Sequence, residues 1–271
     1  MNKEDMQREN IHDTNMNIVI IRLDYVGVTD LSELLHEFDS NFPAQFESRQ
    51  EIYSNQLNVN LRAEDLNSIS ESISLPVNVI KKEKIVRYSE LKGAVCKVTL
   101  DISQYFLCMT IMCENNYDGL NSYSSFFQKA AQLFKDNIPY FAPKRLGLRK
   151  NRGEYFKTFE CIKETFESHL FCLDYFYSEC ELPLTKKYSD TLNNRCHRDL
   201  FINLNREVRF AKKEGEDVYA TSLDIDAYFQ NESTLKTIPF AELLSEANLY
   251  EFEIYKSCMT EEYLNKIMQN E

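Results

Sequence analysis

The sequence predicts an α+β fold in which mostly antiparallel sheets pack against helices. Residues 85–114 contain a run of neighbouring strand patterns (IVRYSEL, AVCKVTLD and QYFLCMTIMC) separated by short turns. Residues 120–136 (LNSYSSFFQKAAQLFKD) have the apolar spacing of an amphipathic helix. Because the strands come in runs with helices between the runs, antiparallel pairing is favoured over an alternating parallel sheet.

The first elements are predicted from β-branched content and helical periodicity. Residues 18–26 (IVIIRLDYV) are rich in β-branched side chains and indicate a buried strand. Thr29 and Asp30 are suited to cap the helix that follows. The polar region 54–75 gives only weak strand signals. The apolar face of the helix is formed by Leu31, Leu34, Leu35 and Phe38.

The second half of the chain repeats the alternation of strands and helices. Apolar residues at every second position, as in Leu200, Ile202 and Leu204, predict a half-buried strand. The predicted strands are residues 144–149, 199–210 and 217–228, and the predicted helices are residues 156–166, 240–256 and 260–268.

The predicted domain organisation has three parts. Residues 1–15 are polar and indicate a mobile N-terminal arm, without the apolar segment of a signal peptide. Residues 16–183 are predicted to form an N-terminal α+β subdomain. Pro183 and the polar stretch after it suggest a boundary, so residues 184–271 are predicted to form a second unit of strands and two closing helices.

Composition limits the classes of function. The 271 residues carry a net charge of −12, which disfavours broad binding to nucleic acid or to anionic membranes. The eight cysteines include no C-x-x-C pair and lie mostly in apolar runs, as in a reduced cytoplasmic protein. With only six glycines, the chain has no glycine-rich phosphate loop, so the sequence predicts no nucleotide cofactor of the Rossmann or P-loop type and no other cofactor.

A basic cluster stands out against this acidic background. Segment 77–152 has 13 lysine and arginine residues against six acidic ones, a net charge of +7. Strand alternation would place Arg145 and Arg149 on one face and Lys150 on the other. Arginines on one face can bind carboxylates or phosphates, or can pair with acidic segments of the same fold. The candidate binding residues are Lys144, Arg145, Arg149, Lys150 and Arg152.

A second candidate site is a pair of carboxylates. Asp224 and Asp226 lie two residues apart in SLDIDAYF, so a strand would place both on one face. This spacing can bind Mg²⁺ in nucleotidyl-transfer enzymes. The alternative is an ordinary solvent face opposite Leu223, Ile225 and Ala227. The leading interpretation has neither a metal site nor a catalytic residue.

Three stretches resemble the motifs of a bacterial protein family. KRLGLRKNR (144–152) is similar to its R-x-G-L-R motif, SLDIDAYF (222–229) to its L-D-I-D strand, and YEFEIYKSCMTEEYLNKIM (250–268) to its closing F-E-x-x-x-x-x-x-T-E-type segment. The family is sporadically distributed and has no established activity. Lys150 replaces a tyrosine of its pattern, and Arg152 stands at an asparagine position. The resemblance implies an α+β fold and a bacterial, mobile-gene origin, but no reaction.

The leading hypothesis is a non-enzymatic, cytosolic bacterial protein that binds a protein partner. The resemblance suggests a small defence or toxin–antitoxin-like gene set as its setting. One alternative is a metal-dependent nucleotide-handling enzyme that uses Asp224 and Asp226, with Arg145 and Arg149 on phosphates. A second alternative is a specific nucleic-acid binder that uses the basic 77–152 face. No membrane association is predicted.

Overall fold

The computed structural model describes residues 3, 6, 15–41, 46–57, 80–92, 95–113, 119–171, 185–194 and 198–268. Within these ranges, nine strands form one antiparallel sheet, which six helices accompany. The strands are β1 (Met16–Val26), β2 (Ser48–Leu57), β3 (Ile80–Lys92), β4 (Val95–Ile102), β5 (Phe106–Met112), β6 (Ala142–Phe156), β7 (Thr185–Asn194), β8 (Leu200–Lys213) and β9 (Glu216–Phe229). The helices are α1 (Ser32–Asn41), α2 (Leu120–Asn137), α3 (Phe159–Thr165), α4 (Glu232–Thr237), α5 (Phe240–Cys258) and α6 (Glu261–Met268).

The order of the strands shows that the two halves of the chain share one plan. The sheet runs β2-β3-β4-β5-β1-β6-β9-β8-β7. In each half, a first strand is followed by a helix and then by an antiparallel meander whose last strand returns beside the first. The two first strands, β1 and β6, pair with each other at the centre of the sheet.

The predicted α+β class is confirmed, and the division into two subdomains is not. β6 belongs to the predicted first subdomain and β9 to the second, yet they are hydrogen-bonded neighbours along their whole common length. The two halves of the plan meet between α2 and β6, ahead of the predicted boundary. Residues 172–184, which include Pro183, lie outside the described residues, as does most of the weak-strand region 54–75.

One face of the sheet, called the helix face here, forms the core with the helices. Along β1 it presents Val19, Ile21 and Leu23, all fully buried. Aromatic contacts join the helices to this face: the Phe134 ring of α2 lies 5.0 Å from the Tyr25 ring, and the Phe159 ring of α3 lies 5.7 Å from the Tyr219 ring. None of the described helices is long and apolar enough to cross a membrane.

The opposite face, called the open face here, carries polar and charged side chains of neighbouring strands. No helix of the described ranges packs on it, because their buried side chains all join the core of the helix face. The open face includes Arg22, Asp24, Arg87, Asp101, Arg145, Arg149, Asp224, Asp226 and Tyr228.

Three residues of the predicted N-terminal arm, Lys3, Met6 and Asn15, are described, and all three contact the body of the protein. Met6 is buried, and its carbonyl oxygen accepts a hydrogen bond from Lys256 Nζ at 3.2 Å. Lys3 forms an ion pair with Glu167. Most of the arm lies outside the described residues, so its mobility stays a prediction.

Gly27 provides a test of the close approach between the end of β1 and the segment that joins α2 to β6. Its φ is +94°, and a Cβ atom there would lie 1.8 Å from the Tyr140 carbonyl oxygen. We expect Gly27→Ala to lower the free energy of unfolding by about 3 kcal/mol, because it combines backbone strain with displacement of a backbone segment. Urea denaturation followed by circular dichroism measures this change.

Gly215→Ala is the matched control, because Gly215 has a φ of +86° but no atom within 4 Å of its added Cβ. Gly215→Ala should lower the free energy of unfolding by about 1 kcal/mol, through the strain of the positive φ alone. Equal losses in the two variants would contradict the close contact at Gly27.

Candidate functional site

β6 carries the basic cluster found in the sequence, and its two faces divide the cluster. Arg145 and Arg149 lie on the open face, whereas Lys150 and Arg152 lie on the helix face. The predicted alternation is therefore confirmed. Lys150 and Arg152 are, however, 0% and 4% exposed, so a partner bound at the surface cannot touch them. The basic cluster therefore does not form one surface patch. Only those candidate binding residues that reach solvent are available to a partner.

The two buried cations share one carboxylate of α5. Lys150 Nζ donates to Glu251 Oε2 at 2.5 Å and to Asn248 Oδ1 at 2.7 Å. Arg152 Nη1 donates to Glu251 Oε1 at 2.6 Å, and its guanidinium lies 4.2 Å from the centre of the Tyr255 ring. Since each oxygen of Glu251 binds a different cation, this carboxylate links α5 to β6 at the centre of the sheet.

Glu251 stays ionised despite its complete burial. Burial by itself raises the pKa of this carboxyl, but the charges and hydrogen bonds of Arg152 and Lys150 outweigh burial and lower its pKa from 4.5 to about 2. Buried charges of this kind persist only when they are paired and hydrogen-bonded. The Lys150–Glu251–Arg152 cluster therefore has a structural role.

On the open face, the two candidate sites found in the sequence are paired with each other. Arg149 Nε and Nη2 donate to the two oxygens of Asp224, each at 2.7 Å. Arg145 Nη2 donates to Asp226 Oδ1 at 2.9 Å and to Oδ2 at 2.6 Å. Strand register explains the pairing. Arg149 of β6 lies directly opposite Asp226 of β9, and Asp224 lies diagonally opposite Arg149, two residues away on the same face of β9. Each aspartate is therefore neutralised by a neighbouring arginine.

The ion pairs extend across further strands of the open face. Arg22 Nε donates to Asp24 Oδ1 at 2.7 Å, and Arg145 Nη1 lies 3.8 Å from Asp24 Oδ2. Arg87 Nε and Nη2 both donate to Asp101 at 2.7 Å. Four arginines thus face four aspartates, and these eight residues contribute no net charge. We call them the arginine–aspartate ladder.

Aromatic side chains support the ladder, and the sequence analysis did not identify them. The Arg145 guanidinium lies 4.4 Å from the centre of the Tyr228 ring, which stacks on the Phe201 ring with centroids 5.4 Å apart. The Arg22 guanidinium lies 4.3 Å from the centre of the Phe106 ring. Cation–π contacts of this kind hold planar guanidinium groups in fixed orientations. Only knowledge of the strand register could have identified these partners.

Those remaining basic residues of segment 77–152 whose side chains the structure describes do not form one face. Lys144 pairs with Glu232 of α4, and Lys84 pairs with Glu51 of β2. Lys129 and Lys135 lie on α2, on the other side of the sheet from the ladder. The excess positive charge of the segment is therefore distributed among the open face, the core and the helices.

The carboxylates of Asp224 and Asp226 are poorly placed to bind a metal ion. Both oxygens of each accept hydrogen bonds from arginine, so a cation would have to displace a guanidinium. Burial raises the pKa of Asp226, and Arg145 only partly offsets this effect. Within the described ranges, no three histidine, cysteine or acidic residues group as metal ligands would.

The buried thiols are poor nucleophiles. Burial raises the pKa of Cys108, Cys113 and Cys258, in each case to about 11, so little thiolate forms at neutral pH. Cys196 and His197 lie outside the described residues. The described part of the chain thus offers an ion-pair surface more readily than a nucleophile.

Comparison with known proteins gives no precedent for this site. No protein-family model matches the chain, and no curated protein or solved structure matches it. The resemblance carried by residues 144–152, 222–229 and 250–268 therefore remains a similarity of motifs.

The buried cluster predicts a large effect for a conservative substitution. We expect Glu251→Gln to lower the free energy of unfolding by about 3–5 kcal/mol, because it leaves two buried cations without a counter-charge. Glu242→Gln on the same helix is the control, since the side chains of Glu242 and of its ion-pair partner Arg198 are both partly exposed. It should cost about 1 kcal/mol or less. Similar losses in the two variants would contradict the structural role of Glu251.

The lowered pKa of Glu251 also predicts a dependence on pH. Its contribution to stability is complete above its ordinary pKa of 4.5 and is lost as the pH falls through about 2. As the pH is lowered from 4.5 to about 2, the free energy of unfolding of the wild-type protein should fall more steeply than that of the Glu251→Gln variant. Urea titrations at a series of pH values measure both slopes. Parallel slopes would show that Glu251 titrates normally in the folded protein.

Proposed function

We propose that this chain is a non-enzymatic binding protein that receives a protein partner on its open face. The observation that carries the proposal is the arginine–aspartate ladder, which lies on a sheet face that no described helix covers. Ordered, partly exposed ion pairs of both signs suit the recognition of another protein, because they impose orientation and register on the complex.

The ladder supports binding more than catalysis. Catalytic carboxylates must be free to accept a proton or bind a metal ion, whereas those of Asp224 and Asp226 are held by Arg149 and Arg145. The Arg149 side chain is nevertheless half exposed, so it can contact a partner while it remains paired. The metal-dependent alternative would require both pairs to open.

The charge distribution supports a protein partner more than nucleic acid. Phosphate backbones are bound by clustered, uncompensated cations. The arginines of the ladder are each paired, and the chain as a whole carries a charge of −12. Long-range attraction would instead favour a basic partner, while the ladder provides local contacts of both signs.

The proposed setting follows from the resemblance of motifs. A sporadically distributed bacterial family fits a cytosolic protein encoded in a small defence or toxin–antitoxin-like gene set. In such a set, the partner would be encoded by a neighbouring gene. This context supports the use of the native host, with the adjacent genes intact, as the source of the partner.

Charge reversal at the ladder tests the proposal. We expect Arg149→Glu to weaken the complex with the partner about tenfold or more, because it places like charges together at the interface. The partner is first captured with the tagged wild-type protein and purified, and its affinity is then measured by titration calorimetry. Circular dichroism confirms that the variant remains folded.

Arg198→Glu is the matched control. Arg198 is also an exposed arginine paired with carboxylates, but its partners Glu242 and Glu246 belong to α5 on the other side of the sheet. It should leave the affinity unchanged. Equal weakening by both variants would contradict the open face as the interface. A Mg²⁺-dependent turnover that Asp226→Asn abolishes would instead support the enzymatic alternative.

A further inference from the structure

The open face contains a cleft beyond one end of the ladder. It has a volume of about 430 Å³ and lies over β6, β9 and β8. Known ligand pockets range from about 300 to 1,000 Å³. The cleft exists because Gly153, Ala220 and Ser222 present small side chains or none at neighbouring positions of the open face. The proposed partner surface does not require such a depression.

The cleft has the dimensions of a slot for a planar ring. Tyr155, Ala220 and Arg209 lie side by side on three adjacent strands, with Ala220 in the middle. Neighbouring strands are about 4.8 Å apart, so the two flanking backbones are separated by ~10 Å. Tyr155 and Arg209 therefore form two walls on either side of Ala220, which lies 6% exposed at the bottom between them. Both side chains are about half exposed, at 51% and 55%.

Amide and hydroxyl groups are held along one side of the slot. Asn151 Nδ2 donates to Ser222 Oγ at 3.1 Å. A Cβ at position 153 would lie 2.6 Å from Asn17 Nδ2, so the glycine there allows the Asn17 amide to lie across β6 into the cleft. Side-chain amides can donate to and accept from the edge of a heterocyclic base.

The far wall of the cleft carries Arg209 and Glu207, and Lys187 lies beside this wall, outside the residues that line the cleft. Lys187 Nζ lies 2.9 Å from Glu207, and Arg209 Nε lies 3.7 Å from the same carboxylate, so two cations share one anion. On the near side, Lys213 Nζ lies 4.7 Å from the centre of the Tyr155 ring. In a protein with a charge of −12, this wall is suited to an anionic ligand with a polar, planar part.

We infer that this cleft binds a nucleoside monophosphate. The base stacks on Tyr155 above Ala220, with its edge toward the amides of Asn17 and Asn151. The ribose hydroxyls donate to Glu207, and the phosphate accepts from Arg209 and Lys187. An aromatic ring that stacks a base, amides at its edge and cations for the phosphate form a known combination for nucleotide recognition. The site uses neither Asp224 nor Asp226 and does not depend on the protein partner.

Calorimetric titration of the full chain with AMP, GMP, CMP and UMP, each without metal, tests the inference. We expect saturable binding of at least one of them. Tyr155→Ala should weaken it about tenfold, because the stacking surface is lost. Tyr140→Ala, at a tyrosine 83% exposed in the turn before β6, is the matched control and should have no effect. Both tyrosines are exposed, so both variants are expected to fold.

Two further measurements locate the ligand within the cleft. Arg209→Gln should weaken binding of the monophosphate but not of the corresponding nucleoside. Ala220→Leu should abolish binding by filling the floor, and its melting temperature shows whether it remains folded. No binding of any monophosphate at millimolar concentration would overturn the inference. Equal binding by the wild type, Tyr155→Ala and folded Ala220→Leu would also overturn it, as would binding of an acidic peptide with none of the nucleotides.

Discussion

The interaction on which the rest of the structure depends is the one between Glu251 and the two cations of β6. Each oxygen of this fully buried carboxylate binds a different cation, Lys150 or Arg152. The contact fixes α5 against the strand at which the two halves of the chain meet. Because α5 and its neighbours are held on the helix face, the opposite face is left to the arginine–aspartate ladder.

β6 links stability and the proposed function through simple alternation. Its even-numbered residues around position 150 supply core cations, and its odd-numbered residues supply Arg145 and Arg149, the arginines of the open face. The same few residues therefore build the core and the surface. A shift of one residue in register would exchange these roles and bury Arg149 while exposing Lys150. The antiparallel pairing of β6 with both β1 and β9 opposes such a shift.

Local patterns predicted much of this arrangement, and long-range contacts explain the rest. Apolar spacing identified β1, α2, β8 and β9, and alternation correctly separated Arg149 from Lys150. The burial of Lys150 and Arg152 could not be predicted, because it depends on Glu251, which is distant in sequence. The single sheet was missed for the same reason, since it arises from the β1–β6 and β6–β9 pairings. The edge strand β7, TKKYSDTLNN, is too polar to show the usual alternation.

The most direct test of the central claim is hydroxyl-radical footprinting of the chain alone and in complex with its purified partner. If the partner covers the open face, oxidation of Met112 and Tyr228 will slow in the complex. Oxidation of Leu249 on α5, which is exposed on the other side, will not change. Protection of Leu249 without protection of Met112 and Tyr228 would contradict the account and place the interface on the helices.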